Sequence, residues 1–61
     1  MDLNMDKDIL FSIINMKLRD FYSDLDDLIV SEDIDKYILL EKFDEYGFTY
    51  NKDINQLKSL N

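Results

Sequence analysis

Gly47 is the only glycine of this chain, in a sequence that contains no proline. Glycine and proline are the strongest local punctuators of structure, so wherever else the chain turns, polar residues must do the work. Gly47 also divides two kinds of pattern. Before it, apolar residues recur at helical spacing; after it, "FTY" and "NQL" alternate with period two. The patterns predict helices first, closed by Gly47 at a left-handed C-terminal position, and then a β-hairpin.

The helical part breaks into three. Over residues 8–22, Leu10, Ile13, Ile14, Leu18, Phe21 and Tyr22 line one arc, and Asp8 or Asp6 can cap the first turn. Ser23 opens "SDLD", a capping-box pattern that starts a second helix over 24–31. Asp24, Asp26 and Asp27 then sit where the helix dipole favours negative charge, and Leu25, Leu28 and Ile29 form its buried face. In "SEDID", Asp33 tolerates a left-handed turn and Asp35 caps a third helix over 36–46. Ile34 and Leu39 have staple spacing, and Leu39, Leu40, Phe43 and Tyr46 make the buried side. In the hairpin, over 48–58, Phe48 is expected opposite Leu57 and Tyr50 opposite Asn55, around Asn51–Ile54. The expected fold is α+β, mainly α: three short helices in helix-turn-helix-like order followed by a C-terminal β-hairpin, all in one small domain spanning residues 1–61.

The first helix has a second character. Ser12, Asn15 and Arg19 share a polar stripe, and Met5, Ile9 and Met16 lie beside it, away from the main apolar arc. At 61 residues the chain is close to the lower size limit for a self-sufficient core, so deep packing on both sides of one helix is hard to achieve. The second side reads as an interface. Met5, Ile9 and Met16 would supply apolar area, with Asn15 and Arg19 fixing orientation, toward a protein partner, and self-association is the expected use of the face. The competing reading pairs Arg19 with an acid of residues 24–27 and bonds Asn15 to backbone, pinning the first helix to the next turn.

Asn15, Lys17, Leu18, Arg19, Asp20, Tyr22, Ser23, Leu25, Asp26 and Leu28 stand in fixed register, followed by Gly47, Phe48, Tyr50, Asn51, Asn55 and Gln56. In these positions the chain resembles a family of short bacterial proteins known as domain of unknown function 4250. The resemblance covers most of the chain and implies a shared fold. It implies no activity, because the family has none assigned. The chain departs from the family pattern at Ile9 and Ile38 and has no glycine before Ile34.

Composition narrows the chemistry. Without histidine or cysteine there is no ordinary general base, thiol nucleophile or zinc ligand set, and no enzymatic activity or cofactor is expected. The acids of residues 24–35 lack the glycine and closing glutamate of an EF-hand loop. Of the net charge of −7, residues 24–35 carry −6, which disfavours nucleic acid and favours basic protein partners. A helix-turn-helix-derived regulator touching nucleic acid, directly or through a basic partner, is the second reading. No apolar run is long enough for a membrane span, and the first residues lack the layout of a signal peptide, so a cytoplasmic location is expected, with no small-molecule substrate.

Overall fold

A computed structural model describes residues 1–60. It contains helices α1 (Lys7–Asp20), α2 (Leu25–Ser31) and α3 (Lys36–Tyr46), then strands β1 (Phe48–Asn51) and β2 (Gln56–Ser59). Three helices followed by a two-stranded antiparallel hairpin is the expected α+β, mainly α, arrangement.

Each helix opens on an aspartate cap. Asp6, rather than Asp8, caps α1, its Oδ2 accepting the Asp8 N–H at 3.2 Å. The cap of α2 is Asp24, one residue later than the expected Ser23. Asp24 has extended backbone and its Oδ1 accepts the Asp27 N–H at 2.7 Å, while the Asp27 carboxylate reaches back to the Ser23 N–H at 3.1 Å. A carboxylate is the stronger acceptor at the positive end of a helix, so the aspartate takes the capping position. The Asp35 Oδ1 accepts the N–H groups of Tyr37 and Ile38 at the start of α3.

α2 ends in a full Schellman arrangement. Asp33 has φ 54°, its N–H bonds to the Val30 carbonyl, and the Ile34 N–H bonds to the Ile29 carbonyl at 3.0 Å. Ile34 packs on the buried cluster that contains Ile29, supplying the apolar contact of this motif. Aspartate thus fills the position glycine usually holds. Gly47, at φ 75° and ψ 36°, terminates α3 as expected.

The core joins Leu10, Ile14 and Leu18 of α1, Leu25, Leu28 and Ile29 of α2, Leu39 and Phe43 of α3, Phe48 and Leu57. Phe48 lies among the rings of Phe11, Tyr46 and Phe43, with centroids 5.0, 5.9 and 6.4 Å away. Two residues expected inside are outside. α1 stops at Asp20, two residues short of the expected end, and Phe21 leaves the helical line and is 67% exposed. Leu40 is 42% exposed, because Leu39 and Phe43, one turn apart, set the buried line of α3 and Leu40 is rotated away from it.

The hairpin register also differs. Phe48 pairs with Ser59, Tyr50 with Leu57 and Asn51 with Gln56. The loop is Lys52–Asn55, because Asn55 takes the left-handed conformation at φ 52° and the Asn51 Oδ1 accepts the Asp53 N–H at 2.9 Å. The shift is two residues along the ladder, so the buried face is unchanged.

Candidate interaction surface

The structure splits the five residues expected to form a partner face. Ile9 (53% exposed), Met16 (36%) and Arg19 lie on the outer side of α1, with the small Ser12 between Ile9 and Met16. Met5 instead packs against the core, and its carbonyl accepts the Tyr46 hydroxyl at 3.5 Å. Asn15 is half-buried and turned toward the hairpin. Its Oδ1 accepts the Leu57 N–H at 2.6 Å and its Nδ2 donates to the Leu57 carbonyl at 3.2 Å. Both polar groups of the side chain therefore engage one β2 residue, leaving Asn15 little to offer a partner. It does bond to backbone, but to the hairpin rather than to the turn that follows α1.

That contact belongs to a polar seam between α1 and the hairpin. The Gln56 Nε2 donates to the Asn15 carbonyl at 3.0 Å, and the Asn55 Nδ2 donates to the carbonyls of Leu18 and Tyr22 at 2.9 and 3.0 Å. The Asn55 Oδ1 accepts the Tyr50 hydroxyl at 2.7 Å. Asn55 thus closes the hairpin turn through its backbone while its amide holds carbonyls at the C-terminal end of α1. The pairing across some 40 positions of sequence has no periodic signal; only the conjunction of Asn15 with Asn55 and Gln56 hinted at it.

Arg19 does not bond to residues 24–27. Its Nε and Nη2 donate to the two carboxylate oxygens of Asp20 at 2.9 and 3.0 Å, which holds the Asp20 carboxyl below the ordinary range. The Arg19 side chain stays 69% exposed. The reversal after α1 is held by Lys17 and Glu32 instead, which sequence inspection missed. The Lys17 Nζ is 3.2 Å from the Glu32 Oε1, and the Tyr22 hydroxyl donates to the Oε2 at 2.5 Å. These two partners, the tyrosine hydroxyl first, hold the Glu32 carboxyl below its usual range, while the same hydrogen bond raises the Tyr22 hydroxyl.

On the helix-turn-helix side, α3 exposes Lys36, Tyr37, Ile38, Leu40, Glu41, Asp44 and Glu45. Lys36 pairs with Asp26 at 3.5 Å, and the Lys42 ammonium lies over the Tyr46 ring. A groove of about 390 Å³ between α2, α3 and the hairpin has Leu25, Leu40 and Tyr50 in it, with Asp24, Asp26, Lys36 and Lys52 around them. A smaller recess of about 210 Å³ lies beside Phe11, Tyr46 and Phe48. Among the described residues no group of three or more histidine, cysteine or acidic side chains is placed to hold a metal ion, and no helix is long and apolar enough to cross a membrane.

Fold and surface together define a small acidic three-helix unit stapled by a polar seam to a C-terminal hairpin, with one outward apolar pair on its first helix. The family described as Domain of unknown function (DUF4250) matches residues 4–57, and the chain belongs to that family. The match covers α1 through Leu57, the residue bonded to Asn15. No curated protein and no solved structure matches the chain.

Proposed function

We propose that this chain is a non-enzymatic protein-interaction module of the bacterial cytoplasm, presenting the outer face of α1 to a protein partner. The observation that carries this reading is the exposed pair Ile9 and Met16, seven residues apart on the side of α1 turned from the core. Core formation does not need them, since Leu10, Ile14 and Leu18 already close that helix inward. Arg19 at the end of the stripe adds a donor suited to orienting a partner. The test is capture from extract of the native host on the immobilised chain, with Ile9→Asp in parallel. A protein retained by the wild type and lost with Ile9→Asp supports the reading; retention indifferent to the substitution overturns it.

The order of α2, α3 and hairpin supports a second reading, a helix-turn-helix-derived regulator. Charge weighs against it: α3 displays Glu41, Asp44 and Glu45, and Lys36 is paired with Asp26. Steeply salt-dependent binding to generic duplex in a low-salt gel shift would reverse this order.

A further inference from the structure

We infer that the occupant of the α1 outer face is the same face of a second copy, packed antiparallel about a two-fold axis that passes between Ser12 and Ile13. The inference rests on the reading of this face as an interaction surface and names the partner. Along the outer side of α1 lie Ile9, Ser12, Met16 and Arg19, with the half-buried Ile13 at the edge toward the core and the capping Asp6 just before the first turn. The spacing is the same in either direction from the centre, and the chemistry is complementary on reversal. An acid begins the stripe and a base ends it, each one turn outside a large apolar residue. Turning a second helix end for end brings Asp6 opposite Arg19, Ile9 opposite Met16 and Ser12 opposite Ile13, and the two-fold repeats every contact.

A pairing of this kind is isologous, the commonest form of closed dimer. The parallel alternative sets Asp6 against Asp6 and Arg19 against Arg19, so like charges oppose it. Ser12 leaves room at the centre for the Ile13 side chain that faces it, and Met16 adapts its shape to the facing Ile9. Ile9, Ser12 and Arg19 are all exposed, as is Asp6, whose Oδ2 caps its own helix. The Arg19–Asp20 pair is itself exposed and weak, and the five guanidinium N–H groups leave donors for a second carboxylate. A 14-residue helix is about 21 Å long, so the contact is smaller than a standard interface and belongs to the weak, transient class.

Cysteine cross-linking tests the register, because the native chain has no cysteine. In the antiparallel pair, Ile9 of one copy lies about 10 Å along the axis from Ile9 of the other, beyond the 4.4–6.8 Å Cα separation of a disulfide. Under mild oxidation, Ile9→Cys mixed with Met16→Cys is expected to form at least fivefold more covalent dimer than either variant alone. Homotypic Ile9→Cys dimers equal to the mixed product, or a mixed yield no greater than that of an exposed Thr49→Cys control, would overturn the inference. Sedimentation equilibrium at about 100 μM, a concentration that populates a micromolar complex, should give dimer for the wild type. Arg19→Glu and Ile9→Asp should give monomer with an unchanged far-UV spectrum. A monomeric wild type sinks the self-pairing; if a host protein is still captured in an Ile9-dependent way, the interaction reading survives it.

Discussion

Asn55 is the residue on which the hairpin and the end of α1 both depend, and its replacement separates the two roles. Asn55→Ala places a Cβ-bearing residue without a polar side chain at φ 52°, where the left-handed conformation costs about 1–2 kcal/mol. The same change removes the bonds to the Leu18 and Tyr22 carbonyls and to the Tyr50 hydroxyl, each worth about 0.5–1.5 kcal/mol net in a partly buried setting. Together these give a loss of roughly 3–5 kcal/mol, a large share of the stability of a domain this size. Asn55→Gly relieves the backbone cost and keeps the loss of the side-chain bonds. Its unfolded chain gains about 0.4–1 kcal/mol of entropy, so it should be only about 1 kcal/mol more stable than Asn55→Ala. Urea unfolding followed by circular dichroism, with thermal melts in parallel, reads the difference; 1 kcal/mol corresponds to about 4–8 °C in a small domain. An Asn55→Ala midpoint within 0.5 kcal/mol of wild type, roughly the ordinary effect of a surface substitution, would overturn both roles assigned to Asn55. Asn55→Gly proving clearly less stable than Asn55→Ala would overturn the backbone role, because the left-handed backbone would then carry no cost.

Asn15→Asp keeps the shape of the side chain but turns its Nδ2 donor into an acceptor facing the Leu57 carbonyl. The loss should be about 1–3 kcal/mol by denaturant unfolding, with amide exchange of Leu57 accelerated. Asp24→Ala should cost about 0.5–2 kcal/mol as the loss of a true helix cap, whereas Ser23→Ala should change the midpoint little; equal effects would return the cap to Ser23. Glu32 is held below the usual carboxylate range by Tyr22 and Lys17, so its contribution is present above the unfolded glutamate value and is lost as pH falls through the folded one. Glu32→Gln should therefore lower stability at neutral pH and flatten its decline toward acid in a pH series of urea midpoints. An unchanged slope would remove Glu32 from the account.

How much of this was legible in the sequence follows from the range of the interactions involved. Local rules carried the chain of elements. Helical periodicity, aspartate caps, the left-handed tolerance of Asp33 and the lone Gly47 depend on neighbours within four or five residues, and these placed three helices and a hairpin in the right order. The same rules missed by a residue or two where two local solutions compete, as between Ser23 and Asp24 at the start of α2. They failed for Phe21 and Leu40, whose exposure depends on where a helix stops and how it is rotated against the rest of the fold.

The candidate surface was legible only in part, and for the same reason. Ile9, Met16 and Arg19 are placed by their position on α1 alone, which periodicity reads directly. Asn15 and Met5 were claimed by distant segments: Asn15 by Leu57 in β2, and Met5 by the core and the Tyr46 hydroxyl. Such claims are invisible to any window of sequence. Short-range backbone and side-chain geometry sets the elements, their order and the outward apolar pair on the first helix, so these are readable from residue order. The hairpin register, the polar seam of Asn15, Asn55 and Gln56, and the side chains that remain for a partner emerge only when distant segments pack. Those depend on which polar groups meet across the packed elements and satisfy one another away from water.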